Sequence, residues 1–226
     1  MHGSSSTSSR RGVLAPLQAD LLARLSAALP DFFLTGGSAL AEFYLGHRVS
    51  EDLDLFTARI DAFADADVLV RQVAVERGIP VAVVRSSRFF RRYVFDSAEE
   101  QVVIDLVLDP VPQVNPDKPI FDGIRTDTLR EIAVNKVCTL LERWEPRDLV
   151  DLLFIERAGI DPLDLIAEAR RKDGGLTPAS LAFSLATAPP IDQMPHGMLA
   201  PLTVDELRAY RDRLIQRLTI LAVPSD

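Results

Sequence analysis

Residues 34–56, LTGGSALAEFYLGHRVSEDLDLF, hold the densest set of side chains able to do chemistry in this chain. In an extended DLDLF segment the side chains alternate, so Asp52 and Asp54 project to one face and Leu53 and Leu55 to the other. Two carboxylates on one face repel each other and are costly to bury unpaired. A divalent cation relieves both problems, and Mg²⁺ favours hard oxygen ligands while bridging carboxylates to substrate phosphates. Taken alone, a D-x-D pattern is short and common, and it equally describes the wetted side of an edge strand.

Two neighbouring features narrow the choice. Gly36-Gly37-Ser38 lies between a short apolar run and a helical pattern. Glycines there permit positive φ and close approach of a ligand to the backbone, and the first turn of a helix offers unpaired N–H groups to phosphate. Gly36, Gly37 and Ser38 are therefore candidate nucleotide-phosphate contacts, an ordinary strand-to-helix turn being the plain alternative. A third carboxylate comes from QVVIDLVLD, where Asp105 interrupts a β-branched and leucine-rich run. An unpaired buried acid is costly there, which favours Asp105 as a metal ligand beside Asp52 and Asp54. Asp109 reads as a loop residue.

Further along, Lys136 stands in a chain with three lysines, amid Ile132, Ala133, Val134, Val137 and Leu140. Lys136 and Arg143 are seven apart and share a helix face, as do Asp148 and Asp151 on the following helix. Lys136 suits a point contact to phosphate. A salt bridge from Lys136 to Asp148 is the competing expectation.

With these residues in view, GGS, a short helix, DLD and a later strand Asp resemble the pattern of the polymerase-β-like nucleotidyltransferase superfamily. More narrowly, TGGSALAEFYLGHRVSEDLDLF and TLREIAVNKVCTLLERWEPRDLVDLLFI (128–155) resemble the AbiEii/AbiGii toxin family of type IV toxin–antitoxin systems. The resemblance covers roughly residues 30–160 and implies an enzyme that moves a nucleoside monophosphate from an NTP to an acceptor hydroxyl. It implies Mg²⁺, with Mn²⁺ as a substitute, as cofactor. It also implies an RNA acceptor, the tRNA 3′ end first, and a cognate antitoxin as partner. Lys136 and Asp148 are placed by it in the active site, Lys136 near the triphosphate and Arg143 with it as a nucleotide contact. Transfer to a small molecule or a protein hydroxyl, and nucleotide binding without turnover, remain alternatives.

The elements that must position these groups follow from periodicity and punctuation. Residues 14–29 have helical apolar spacing and stop at Pro30; 32–35 reads as a short strand and 38–46 as a helix ending near Gly46. A strand at 52–57, a helix at 63–77 and strands near 80–85, 89–95 and 101–108 complete the first half. The second half reads as helices: 128–144 with Thr126 or Asp127 as cap, then 146–159 opened by Pro146, 162–172, 178–187 and 203–221. The predicted class is α+β: a small mixed sheet with helices, then a helical domain. Residues 1–12 read as a disordered tail, 13–118 as the nucleotidyltransferase core and 119–226 as the mainly helical domain, hinged at the Pro-rich 109–119.

Composition sets limits. A net charge of −8 argues against a surface that coats nucleic acid generally and leaves room for a local patch. Two arginine clusters offer one: Arg85, Arg88, Arg91 and Arg92, and Arg208, Arg211, Arg213 and Arg217. One cysteine excludes a disulfide framework and a thiolate zinc cluster, and Cys138 sits in an apolar helical pattern as an inert thiol. No apolar run reaches the length of a membrane-spanning helix, and the expected compartment is the cytoplasm.

Overall fold

The computed structural model describes residues 11–223. The chain divides into two compact units, one taking residues up to Val111 together with Asn115–Thr128, the other taking Pro112–Val114 and the chain from Leu129 onward. The class is α+β. Of the tail expected at 1–12, residues 1–10 lie outside the described residues; Arg11 N–H donates to the Glu42 carbonyl at 2.9 Å. The Glu42 carboxylate then accepts from the backbone N–H groups of Gly12, Val13 and Leu14 at 3.3, 2.7 and 3.1 Å, fixing the start of the described chain.

In the first unit, helix α1 (Pro16–Ala28) opens on a proline, whose missing N–H is one that the first turn would leave unpaired anyway. Strand β1 (Phe33–Thr35) runs into a helical stretch that starts as α2 (Gly36–Ala39) and widens into a π-turn at Leu40–Leu45. This stretch was expected as an ordinary helix. Its end is set by Gly46 at φ 61°, whose N–H donates to the Ala41 carbonyl at 2.9 Å, an i→i+5 closure. There follow β2 (Asp52–Thr57), α3 (Ile60–Arg77), β3 (Val81–Ser86), β4 (Phe90–Asp96) and β5 (Gln101–Leu108). Five strands form one sheet in the order β1-β2-β5-β4-β3, parallel only between β2 and β5.

Alternation divides that sheet cleanly. Leu53 and Leu55 of β2, Tyr93 and Phe95 of β4, and Ile104 and Leu106 of β5 are all buried. They sit on the face covered by α3, whose Phe63, Ala66, Val70 and Val73 are buried too. Burial of such side chains contributes about 1.5–3 kcal/mol each and sets the strand register, since a slip of one residue would send every apolar side chain to the wrong face. The opposite face carries Asp52, Asp54, Asp105 and Arg92.

A two-residue hairpin the sequence did not suggest, β6 (Ile120–Phe121) and β7 (Ile124–Arg125), closes the unit. Asp127, expected as a helix cap, accepts from Thr35 Oγ1 at 2.6 Å and from the buried Lys118 Nζ at 2.5 Å. Tyr44 Oη donates to its carbonyl at 2.6 Å.

The second unit is helical: α4 (Leu129–Glu142), α5 (Pro146–Arg157), a 3₁₀ turn (Pro162–Leu165) running into α6 (Ile166–Lys172), α7 (Pro178–Thr187) and α8 (Val204–Ala222). Thr203 and Glu206 cap α8 reciprocally, Thr203 Oγ1 accepting from the Glu206 N–H at 3.2 Å and Glu206 Oε2 from the Thr203 N–H at 2.8 Å. Cys138 lies inside this unit, and burial pushes its thiol up to about 11. Only a minute thiolate fraction exists at pH 8, so an aromatic disulfide reagent should react slowly with the native chain and promptly after unfolding in urea. Fast native labelling would mean that α4 is not packed as described.

Candidate active site

One hydrogen-bonded rung crosses the whole five-stranded sheet, and every residue on it is polar. Thr35 pairs with Asp54, Asp54 with Asp105, Asp105 with Arg92, and Arg92 with Arg85. Paired residues on adjacent strands point to the same face, so Asp54, Asp105 and Arg92 stand side by side on the face opposite the α3 layer. Asp52, two positions before Asp54, shares that face. Sequence spacing thus placed Asp52 and Asp54 together; the parallel pairing of β2 with β5 adds Asp105.

The arrangement at Asp105 includes a partner that the sequence reading assigned to a surface cluster. Arg92 Nε and Nη2 donate to the two Asp105 oxygens at 2.8 and 2.6 Å, and Nη2 also reaches Asp52 Oδ2 at 3.2 Å. This is a two-pronged guanidinium–carboxylate fork, the stronger class of hydrogen-bonded ion pair. The Asp105 hydrogen bond, joined by the charges of Asp105, Asp52 and Asp54, holds the Arg92 guanidinium even more firmly protonated than an ordinary arginine.

The glycine motif borders the same carboxylates. Gly36 has φ 67°, and a Cβ there would lie 2.4 Å from Asp54 Oδ2. At Gly37 a Cβ would lie 2.5 Å from Arg48 Nη2 and 3.3 Å from Ser50 Oγ. The two glycines therefore make room for a carboxylate and a guanidinium to pack against the backbone. Ser38 is fully buried, with its hydroxyl 3.5 Å from the Thr35 carbonyl. Arg48 is buried as well, and its Nη1 donates to the Val49 carbonyl at 2.9 Å. Arg48, Ser50 and Arg92 were absent from the sequence candidates for the nucleotide and metal site. For Arg92 a signal existed: alternation in β4 puts it opposite the buried Tyr93 and Phe95, on the face of the acids.

A divalent cation fits Asp52 and Asp54: two hard carboxylates stand two positions apart on one strand face, with the Gly36 backbone drawn tightly against one of them. Asp105 does not extend that set as it stands, because both of its oxygens accept from Arg92. Among the described residues, no three His, Cys, Asp or Glu side chains are grouped as metal ligands.

The second motif lies in the helical unit. Lys136 Nζ is 2.7 Å from Asp148 Oδ1 and 2.6 Å from Asp151 Oδ2, all three side chains being buried. The salt bridge expected from sequence is present, and Asp151 doubles it. Burial alone would lower the Lys136 pKa, but the charges of Asp151 and Asp148 and their hydrogen bonds outweigh it, so the ammonium is held above its ordinary value. Arg143 Nε donates to Asp148 Oδ2 at 3.2 Å with half of its side chain exposed.

These motifs sit inside a longer match. The family described as "Nucleotidyl transferase AbiEii toxin, Type IV TA system" matches residues 20–220. The chain belongs to that family. It is a nucleotidyltransferase, and its family consists of toxins of type IV toxin–antitoxin systems. Solved structures of similar fold include these two. MenT4, a nucleotidyltransferase toxin of Mycobacterium tuberculosis, superposes with a TM-score of 0.60 at 17% identity, over 92% of this chain and 82% of that one. JHP933 of Helicobacter pylori superposes with a TM-score of 0.57 at 19% identity, over 89% of this chain and 88% of that one. At these identities the likeness establishes the fold. No protein of curated function matches the sequence. No helix among the described residues is long and apolar enough to cross a membrane.

Proposed function

We propose that this AbiEii-family enzyme transfers a nucleoside monophosphate from an NTP to a hydroxyl of RNA, the tRNA 3′ end first, at the face formed by Asp52, Asp54 and Asp105. The polar rung across the sheet carries this reading, because it sets Asp54 and Asp105 side by side, with Asp52 two positions away on the same face, beside a glycine-lined backbone. Gly37 and Ser38 lend backbone N–H groups to the triphosphate, with the Arg48 guanidinium at Gly37 adding positive charge. A divalent cation at Asp52 and Asp54, Mg²⁺ first and Mn²⁺ as substitute, would neutralise phosphate charge and stabilise the entering and leaving oxygens. Asp105, whose oxygens each keep a lone pair beyond the Arg92 bonds, helps position the acceptor hydroxyl, and the hydroxyl proton passes to water as its oxygen bonds to the α-phosphorus. The bond from that phosphorus to the bridging oxygen breaks, and pyrophosphate leaves with the electron pair. In the helical unit, Lys136, Arg143 and Asp148 carry the family's second motif, and Arg143 is the one with a solvent-exposed cationic end able to meet phosphate.

Purified protein, Mg²⁺, each α-³²P-labelled NTP in turn and total tRNA, run on a denaturing gel, tests this directly. Label in tRNA that disappears in Asp52→Ala supports the reading and reveals the base preference. Label confined to small molecules or to protein would move the acceptor to those classes, and bound nucleotide without transfer would leave a binding module.

For RNA, the structure narrows the basic surface. Arg91 turns inward, its Nη1 donating to the Phe63 carbonyl at 2.7 Å, and Arg92 holds Asp105. In the second cluster Arg217 pairs with Asp161 and Arg208 with Asp205. Arg85 and Arg88 remain exposed at the sheet edge, each stacked on an aromatic ring, at 5.3 Å over Phe90 and 5.1 Å over Phe89. Exposed guanidinium next to aromatic surface suits a flexible strand of RNA. Arg85→Ala/Arg88→Ala should weaken tRNA binding and flatten the slope of log K against log salt by about 1 to 1.5. An unchanged slope in filter binding across a salt series would remove this edge from the RNA path.

A further inference from the structure

We infer that Arg92 stands in for a second metal ion, so that the site takes one divalent cation at Asp52 and Asp54 and none at Asp105. The inference rests on the proposed placement of the active site at these carboxylates. Three acids on one sheet face normally suggest two ions held between them. Here both oxygens of the third acid already accept from its own neighbouring strand. Arg92 and Asp105 are directly paired between β4 and β5, so strand register sets side by side the two residues that form the fork at 2.8 and 2.6 Å. The Asp105 side chain is 6% exposed, and the Arg92 guanidinium on its oxygens is 39% exposed.

Arg92 also reaches Asp52 Oδ2 at 3.2 Å, spanning the gap from the third acid to the first. A bridging cation would have to occupy that gap. A guanidinium there supplies fixed positive charge and planar donors, and it repels a second ion. The charge that a second ion would lend to the reacting oxygens is thus built into the chain. Its supply does not vary with metal concentration, because an arginine stays protonated throughout the working pH range.

Counting bound Mn²⁺ tests this without any turnover. The electron-spin signal of free Mn²⁺ is followed while the full-length protein is titrated, in the wild type and in Arg92→Met, Arg92→Lys, Arg92→Met/Asp105→Asn and Asp52→Asn/Asp54→Asn, each checked for an unchanged circular dichroism spectrum. One site is expected in the wild type, lost in Asp52→Asn/Asp54→Asn. Arg92→Met should bind two ions, and removing Asp105 as well should return the count to one. Arg92→Lys, which keeps the charge, should stay at one. Two sites in the wild type, or a single site in Arg92→Met, would overturn the inference while leaving the carboxylate site in place. A wild type that binds no Mn²⁺ would instead overturn the metal reading on which it rests.

Discussion

Asp54→Asn is expected to lower kcat/KM for nucleotide transfer on the order of 10³-fold or more, a loss of about 4 kcal/mol of transition-state stabilisation. Asp54 lies within the rung, paired with Thr35 on one side and Asp105 on the other. The amide keeps the shape and removes the charge that a cation needs. Folding should not suffer, because neutralising one of three neighbouring carboxylates relieves like-charge repulsion; the unfolding midpoint should hold or rise. A second route to the same loss leaves all the acids in place. Gly36→Ala sets a Cβ 2.4 Å from Asp54 Oδ2 at a residue with φ 67°, so the Asp54 carboxylate and the backbone cannot both keep their positions. Steady-state transfer assays on both variants, with thermal unfolding alongside, check the pair. Full transfer by Asp54→Asn would remove Asp54 from the chemistry. Loss in Gly36→Ala with a normal melting curve would show that placement of the carboxylate matters as much as its presence.

Local pattern disclosed a large share of this architecture, for identifiable reasons. The alternation of DLDLF and QVVIDLVLD is a period-two signal strong enough to specify which residues share a face, and β2 and β5 run as Asp52–Thr57 and Gln101–Leu108. Pro16, Pro146 and Pro178 mark first helical residues as fixed-φ residues should. Strand order was not legible: that β2 lies beside β5, and so Asp54 beside Asp105, is a pairing between segments about fifty residues apart, decided by burial of both apolar faces at once. The π-turn at Leu40–Leu45 was hidden because its cause, the closure onto Gly46, reads locally as a normal helix end. Arg48 was hidden because arginine in a sequence most often reads as wetted surface; Arg92 carried an alternation signal, but its partner on β5 is set only once the sheet has formed. Arginine clusters are the weakest sequence guide here: of Arg85, Arg88, Arg91 and Arg92, two face solvent and two are taken up by the fold.

Lys136→Met should destabilise the helical unit by about 3–5 kcal/mol, because it leaves two buried carboxylates without their cation. The lysine is 2.7 Å from Asp148 and 2.6 Å from Asp151, and both acids are fully buried between α4 and neighbouring helices. Arg143 cannot replace it: the half-exposed guanidinium reaches only one of the two acids, Asp148, at 3.2 Å. Lys136→Met/Asp148→Asn/Asp151→Asn should recover most of the loss, since removing every member of a buried ion cluster is far milder than removing one. Because the folded-state pKa of Lys136 is raised, its contribution is complete below the ordinary lysine value of about 10.5 and is lost only as pH climbs through the higher folded value. Stability between pH 6 and 9 should therefore owe no slope to this residue. Urea unfolding followed by Trp144, the single tryptophan and a residue of the link between α4 and α5, reads the unit directly. Transfer measured on the same samples separates the two roles that the sequence left open. A stability loss under about 1 kcal/mol with transfer abolished would assign Lys136 to the nucleotide; a large loss repaired in the triple variant would show a lysine that holds its helices together.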